Sequence, residues 1–305
     1  MNWNVRIGIN PISWMNDDLA SLGGDTLLET ALSEGREIGF EGFELGNKFP
    51  NDGPALKAKL DEFGLACVSG WYSGFLAEES IEAELARCAP HMCKLQYAGA
   101  KVVVYGECAG TIQGQIDTPL GRRPRFAGAK QWKAYGKRLN AFGAHLKSSY
   151  GITLAYHHHM GAYVESPDDI DQLMALTDGD KVGLLFDTGH AWYGGATDTV
   201  ALLKKHVARV VHVHCKDVRP QVIAQARNDG WSFLTGVLYG TFTVPGDGVI
   251  DYNAVLTTLH AAGYQGWLVV EAEQDPAVAP SYRYANIGYT TLRNIVDQIN
   301  PFAGA

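Results

Sequence analysis

Val182-Gly183-Leu184-Leu185-Phe186-Asp187-Thr188-Gly189-His190 begins as an apolar strand and ends on a carboxylate and an imidazole. A short unbroken apolar run of this kind suits a strand covered on both faces, as in a parallel sheet. The next such run, Val210-Val211-His212-Val213-His214, leads into Cys215-Lys216-Asp217 and also ends in polar groups. Outward from this pair, strand-like runs recur at Val5–Ile9, Gly42–Leu45, Leu65–Gly70, Lys101–Tyr105, Thr153–Tyr156 and Trp267–Glu271. Segments with helical spacing lie between them, among them Ile81–Tyr97, Gln131–Tyr150 and Tyr252–Ala262. Repeated β-then-α order predicts a parallel sheet with helices outside it. Eight such units close most naturally into a (β/α)8 TIM barrel. An open doubly wound sheet is the competing topology, but no G-x-G-x-x-G follows the first strand.

The length agrees. A barrel of this kind takes about 250 residues, so a chain of 305 reads as one domain, 1–305, with long loops. An apolar fraction of 46% against 19% charged supports a large buried core. The punctuation fits as well. Asp25 is expected to cap the first helix and Gly39 to follow its end. Ser166-Pro167-Asp168-Asp169 is a helix start, and Gly99, Gly151 and Gly263 stand where helices hand over to strands. Three long connections follow strands one, four and seven: Asn10–Gly24, Gly106–Ala129 and Lys216–Asp251. The third has helical spacing from Val222 to Leu238 and is expected to carry a small helix. In this fold, loops after strands build the active face.

Composition excludes some functions. A net charge of −8 argues against a nucleic-acid partner, and Gly121-Arg122-Arg123-Pro124-Arg125 is too short to reverse it. No apolar run reaches the roughly 18 residues that cross a membrane. The first ten residues lack the pattern of a signal peptide. Five cysteines with no C-x-x-C read as free thiols, so a cytoplasmic protein is expected.

The chemistry is concentrated at the strand ends. Six of the ten histidines, His157, His158, His159, His190, His212 and His214, lie at the ends of strands five to seven. Asp187 joins them from strand six, and Glu271 and Glu273 from strand eight. Alternation puts His157 with His159, His212 with His214, and Glu271 with Glu273 on shared faces. Buried carboxylate and imidazole together suit a divalent metal. The set expected to hold it is His157, Asp187, His214 and Glu271. Lys216 falls on the side of His214; a nearby cation would disfavour its charge and suit it to act as a base. His190 is expected over the same pocket. Glu44, Trp71, Tyr72 and Glu107 close other strands and are candidate substrate contacts. Isolated histidines more often sit in hydrogen-bonded cores than at metals, and Asp187 could simply cap a helix. The accumulation at neighbouring strand ends favours a site.

As a set, these residues resemble the inosose dehydratases (2-keto-myo-inositol dehydratases) of the xylose-isomerase-like barrel superfamily. The resemblance runs through Gly8-Ile9-Asn10-Pro11, Asn16-Asp17-Asp18, Gly42–Phe49, Ser69–Gly74, Arg122-Arg123-Pro124, Tyr156–Gly161, Asp187–Trp192, His212–Arg219, Val244–Gly248 and Val270–Pro276. It implies loss of water from scyllo-inosose to give a trihydroxycyclohexane-1,2-dione in inositol catabolism, with manganese or cobalt. Glutathione is associated with the family, but no residue here points to a site for it. Such chemistry needs a base, with Lys216 or Glu273 the candidates, and an acid, with His159 or His190 the candidates. Related ketose epimerases usually carry Glu at the end of strand five, where this chain has His157. Losing one of two opposed carboxylates suits elimination over epimerisation. The rivals are a metal-dependent sugar isomerase or epimerase, a polyol-binding barrel without catalysis, and a DNA-repair endonuclease, which the net charge disfavours. Barrels of this type often associate through outer helices, so a homo-oligomer is compatible with the sequence.

Overall fold

A computed structural model describes residues 3–300; Met1, Asn2 and residues 301–305 of the expected domain lie outside the described residues. Its barrel strands are β1 (Val5–Ile9), β2 (Gly42–Leu45), β3 (Ala66–Gly74), β4 (Val102–Glu107), β5 (Thr153–His157), β6 (Val182–Asp187), β7 (Val210–Cys215) and β10 (Gly266–Val270). They close in the order β1-β10-β7-β6-β5-β4-β3-β2, each pair parallel. The eight-stranded barrel expected from the sequence is therefore present. Two further strands, β8 (Asp217–Val218) and β9 (Phe242–Thr243), form a small antiparallel ribbon above it.

The outer layer consists of α1 (Leu28–Ile38), α2 (Gly53–Glu62), α3 (Ile81–Ala98), α4 (Ala129–Tyr150), α5 (Pro167–Leu176), α6 (Thr188–Tyr193), α7 (Thr199–His206), α10 (Tyr252–Ala261) and α11 (Ser281–Ile299). The connection after β7 holds two short helices, α8 (Pro220–Asp229) and α9 (Phe233–Leu238), where one was expected. Gly230 breaks them with a φ of 66°, a left-handed value that favours glycine. Ser166 makes the full capping box of α5. Asp25 is not a cap: α1 starts at Leu28 behind Leu27, with no side-chain cap.

Side chains alternate across each strand, and this sorts the core into two parts. Val104, Ala155 and Leu185 point inward and fill the barrel floor. Tyr105, Tyr156 and Phe186 point outward into the main core under the helices. His157 stands two residues beyond Ala155, and Asp187 two beyond Leu185. Both therefore point inward, one step above an apolar floor.

Candidate metal centre

Four strand ends converge above that floor. One ligand atom each from His157, Asp187, His214 and Glu271 can be chosen so that all lie within 4.8 Å of one another, and all four residues are buried. His157 Nε2 lies 3.7 Å and His214 Nδ1 3.5 Å from Asp187 Oδ2, and His214 Nδ1 lies 2.8 Å from Glu271 Oε2. Asp187 Oδ2, His214 Nδ1 and Glu271 Oε2 are buried without a hydrogen bond of acceptable geometry. Buried polar atoms are almost always satisfied, so three such atoms turned to one point, with only the Lys216 ammonium at their side, form a place that could hold a divalent cation. The atoms behind them are anchored. His157 Nδ1 is 2.6 Å from the His158 carbonyl oxygen, which fixes its proton there and leaves Nε2 free. Asp187 Oδ1 accepts from the His190 N–H at 2.8 Å, so this carboxylate both caps α6 and faces the centre. Imidazole plus carboxylate is a donor set for a divalent transition metal.

The side chains of this cluster push one another's charges hard. Burial and neighbouring His214 hold His157 well below the usual imidazole range. Burial alone would lower His214, but Glu44 and Glu271 outweigh it and raise its pKa well above the usual value. A bound cation would take the place of that extra proton.

Beside the centre lies a second group. Lys216 Nζ is 2.8 Å from Glu273 Oε1, 3.0 Å from His190 Nε2, 3.1 Å from Glu271 Oε2 and 3.5 Å from Asp187 Oδ2. Gly189 makes this possible, because a Cβ there would lie 2.5 Å from the Lys216 stem. The expected weakening of the Lys216 charge depends on a cation sharing the carboxylates of Asp187 and Glu271. Burial does oppose the charge, but three surrounding carboxylates outweigh it and push the pKa up. Lys216 is thus placed as a buried donor, off the wall of the cavity.

A cavity of about 400 Å³ opens over the centre, lined among others by Asn10, Asp18, Trp71, Gln113, His157, His159, Glu271 and Glu273. It has room for a six-membered polyol ring. Trp71 meets His157 and His159 edge-on, with ring centroids 5.7 Å and 5.9 Å apart. Glu273 faces the cavity with Oε1 held by Lys216 and Oε2 without a partner.

Several expected site residues stand elsewhere. Tyr72 is one residue from Trp71 and so points outward; its hydroxyl donates to Glu84 of α3, and its ring packs on Phe142 of α4. Glu107 shares the outward parity of Tyr105. It accepts from the Tyr105 hydroxyl at 2.9 Å and from the N–H groups of Ala77 and Ala109 at 3.0 Å, fastening the loops after β3 and β4. Glu44 lies beneath the centre and contacts His212 and His214, not the cavity. His190 is walled off by Phe233 and Phe242, and burial and Lys216 keep it uncharged. His159 does line the cavity, but its Nδ1 is 2.8 Å from the Met160 carbonyl oxygen, so its Nε2 is an acceptor. Burial and His190 lower its pKa to about 3. His159 spends its one N–H on Met160 and neutral His190 lies off the cavity, so neither presents a proton to a leaving group.

Sequence reading omitted Asp18 from the site. Asn16 turns the loop after β1 by accepting from the Asp18 and Leu19 N–H groups at 2.9 Å, and Asp17 Oδ2 ties it to the Asn47 N–H at 3.0 Å. Asp18 then reaches the cavity. Asp18 is solvent-exposed at the cavity mouth, where partial loss of solvation against the cleft and the charge of Glu273 raise its pKa to about 7. The run Asn16-Asp17-Asp18 carries no periodicity, so only the fold reveals its aim.

Known proteins agree with this architecture. A family profile described as xylose isomerase-like TIM barrel matches residues 32–290. The rhizopine catabolism protein MocC of Rhizobium meliloti is 47% identical over 289 residues, covering 95% of this chain and 88% of that protein. An inosose dehydratase of Geobacillus thermodenitrificans is 45% identical, covering 92% of this chain and 94% of its own. A second, from Klebsiella pneumoniae, is also 45% identical, with the same shares covered. Among solved structures, a probable 3-DHS dehydratase from Bacillus anthracis superposes with a TM-score of 0.68 at 13% identity, over 95% of this chain and 99% of that one. The IolI protein with a bound zinc atom superposes at 0.65 and 15% identity, over 96% and 97%. Identities this low speak for the fold alone. No described helix is long and apolar enough to cross a membrane, and all five cysteines are free. With a profile across most of its length and relatives near half identical end to end, the chain belongs to the xylose isomerase-like TIM barrel family, among the inosose dehydratases.

Proposed function

We propose that this protein is a metal-dependent dehydratase that removes water from 2-keto-myo-inositol (scyllo-inosose) to give a trihydroxycyclohexane-1,2-dione, as a step of inositol catabolism. The observation that carries the reading is the convergence of buried ligand atoms from His157, Asp187, His214 and Glu271 beside a polyol-sized cavity that His157 and Glu271 line. Manganese or cobalt suits the imidazole and carboxylate set. When bound, the cation supplies Lewis-acid polarisation of the substrate ketone. The five free thiols fit a reducing cytoplasm.

The remaining work falls to the chain. Glu273 Oε2, free and facing the cavity, takes the proton from the carbon beside the ketone. Asp18, which holds its own proton up to about pH 7, gives it to the β-hydroxyl as that group leaves as water. The enol that remains tautomerises to the dione, and solvent restores both carboxyl groups. Lys216 steadies Glu273 through Oε1 and sets which oxygen faces the substrate. Trp71 forms an apolar wall for the ring.

The test is product identity. Incubation with scyllo-inosose in heavy water, followed by mass spectrometry, is expected to show loss of one water. Interconversion with deuterium uptake but no loss of water would move the reading to an isomerase or epimerase.

Gly106 offers a separate check of the cavity wall. A Cβ there would lie 2.0 Å from the Trp71 ring. Because that ring borders open space, Gly106→Ala should push it into the cavity. KM for the polyol is expected to rise roughly two- to tenfold, the worth of about one aromatic contact. An unchanged KM would show that Trp71 does not border the substrate.

A further inference from the structure

Glu44 sits at the end of β2, buried under the metal centre, and its carboxylate is surrounded by four donors. Oε1 receives His212 Nε2 at 2.7 Å and Ser69 Oγ at 2.8 Å. Oε2 receives Asn10 Nδ2 at 2.9 Å. His214 Nε2 donates to Oε1 at 3.2 Å and lies 3.0 Å from Oε2, so it straddles the two oxygens. An ionised carboxylate accepts about four hydrogen bonds and donates none. All four neighbours must therefore be donors, and both imidazoles carry a proton on Nε2.

That count has two consequences. Glu44, His212 and His214 also have ligand atoms within 4.8 Å of one another. The atoms that face one another there are the Glu44 oxygens and two protonated Nε2 atoms, which are joined by hydrogen bonds, so they are not a second cation site. In neutral His214, a proton on Nε2 leaves the lone pair on Nδ1. Nδ1 is the atom turned to Asp187 and Glu271, and it has no hydrogen bond.

We infer that Glu44 is a positioning residue: it holds His214 by Nε2–H in the one neutral tautomer that offers Nδ1 to the cation. The inference rests on reading the four-residue cluster as a metal centre. Asn10 extends the arrangement. Its amide nitrogen holds Glu44, its Oδ1 accepts from the Ile12 N–H at 3.0 Å, and its side chain lines the cavity. The loop after β1, which carries Asp18, is thereby tied to the shell beneath the metal. Outer-shell partners of metal histidines fix ring orientation, and losing one typically costs 10–100-fold in metal affinity.

Two measurements test this. In zinc-loaded wild-type protein labelled with ¹⁵N-histidine, long-range ¹H–¹⁵N correlation spectra should show His214 with its proton on Nε2 and none on Nδ1. A proton on Nδ1 would overturn the inference, and this needs no variant to fold. Glu44→Gln places an amide NH2 against neighbours that are all donors. In cobalt titrations followed by visible absorption, it should bind about 10–100-fold more weakly, with an altered spectrum. A folded Glu44→Gln protein with wild-type affinity and spectrum would refute the role of Glu44. Wild-type protein that takes up neither zinc nor cobalt would overturn the metal reading itself, a separate and recognisable outcome.

Discussion

Asp187→Asn is expected to lose the bound metal and with it about a thousandfold of the dehydration rate, while the protein still folds. Asp187 Oδ2 lies within 3.7 Å of both histidine ligand atoms and has no hydrogen bond to fall back on. An amide there keeps the shape but removes the charge. Its one remaining oxygen can still accept from the His190 N–H and cap α6, so the local backbone should hold. Lewis-acid polarisation is worth several kcal/mol, and about 1.4 kcal/mol is a factor of ten in rate. Metal analysis and kcat on the purified variant decide the matter. Near-normal metal content with near-normal kcat would remove Asp187 from the centre.

Glu273→Gln separates the base from the metal. Glu273 has no place among the four converging ligand atoms, yet it faces the same cavity. Its Oε1 is occupied by Lys216, and its Oε2 is left for the substrate. The variant should therefore keep its full metal content and lose about 10²–10⁴ in kcat, the usual worth of a general base. Exchange of the substrate C–H with heavy water should fall with it. If kcat falls less than about tenfold, proton removal belongs to another group, and His159 Nε2, an acceptor on the same wall, is the next to test.

Much of this was legible in the sequence because strand alternation is a strict rule. Ala155 to His157 and Leu185 to Asp187 each step two residues along one face, so an apolar floor leads directly to a polar pair. The same rule accounts for the errors. The β3 and β4 strands run on to Gly74 and Glu107, beyond the ends that hydrophobicity suggests. Their terminal residues therefore alternate like the rest, and Tyr72 and Glu107 turn outward. Glu44 was expected against substrate; its inward direction is local, but its depth below His214 depends on a neighbour 170 residues away. Lys216 shows a further limit. Its side of the strand is readable, whereas the three carboxylates around it come from β6 and the end of β10 and dominate its charge. Asp18 belongs to a loop, where no period aims a side chain.

The most direct test of the account is a dehydration assay with scyllo-inosose, following ultraviolet absorbance of the dione. The protein would be assayed as purified, after stripping with chelator, and after reloading with manganese or cobalt. Activity should vanish on stripping and return with the metal. Turnover that survives complete metal removal, or no dione from fully metallated protein, would contradict it.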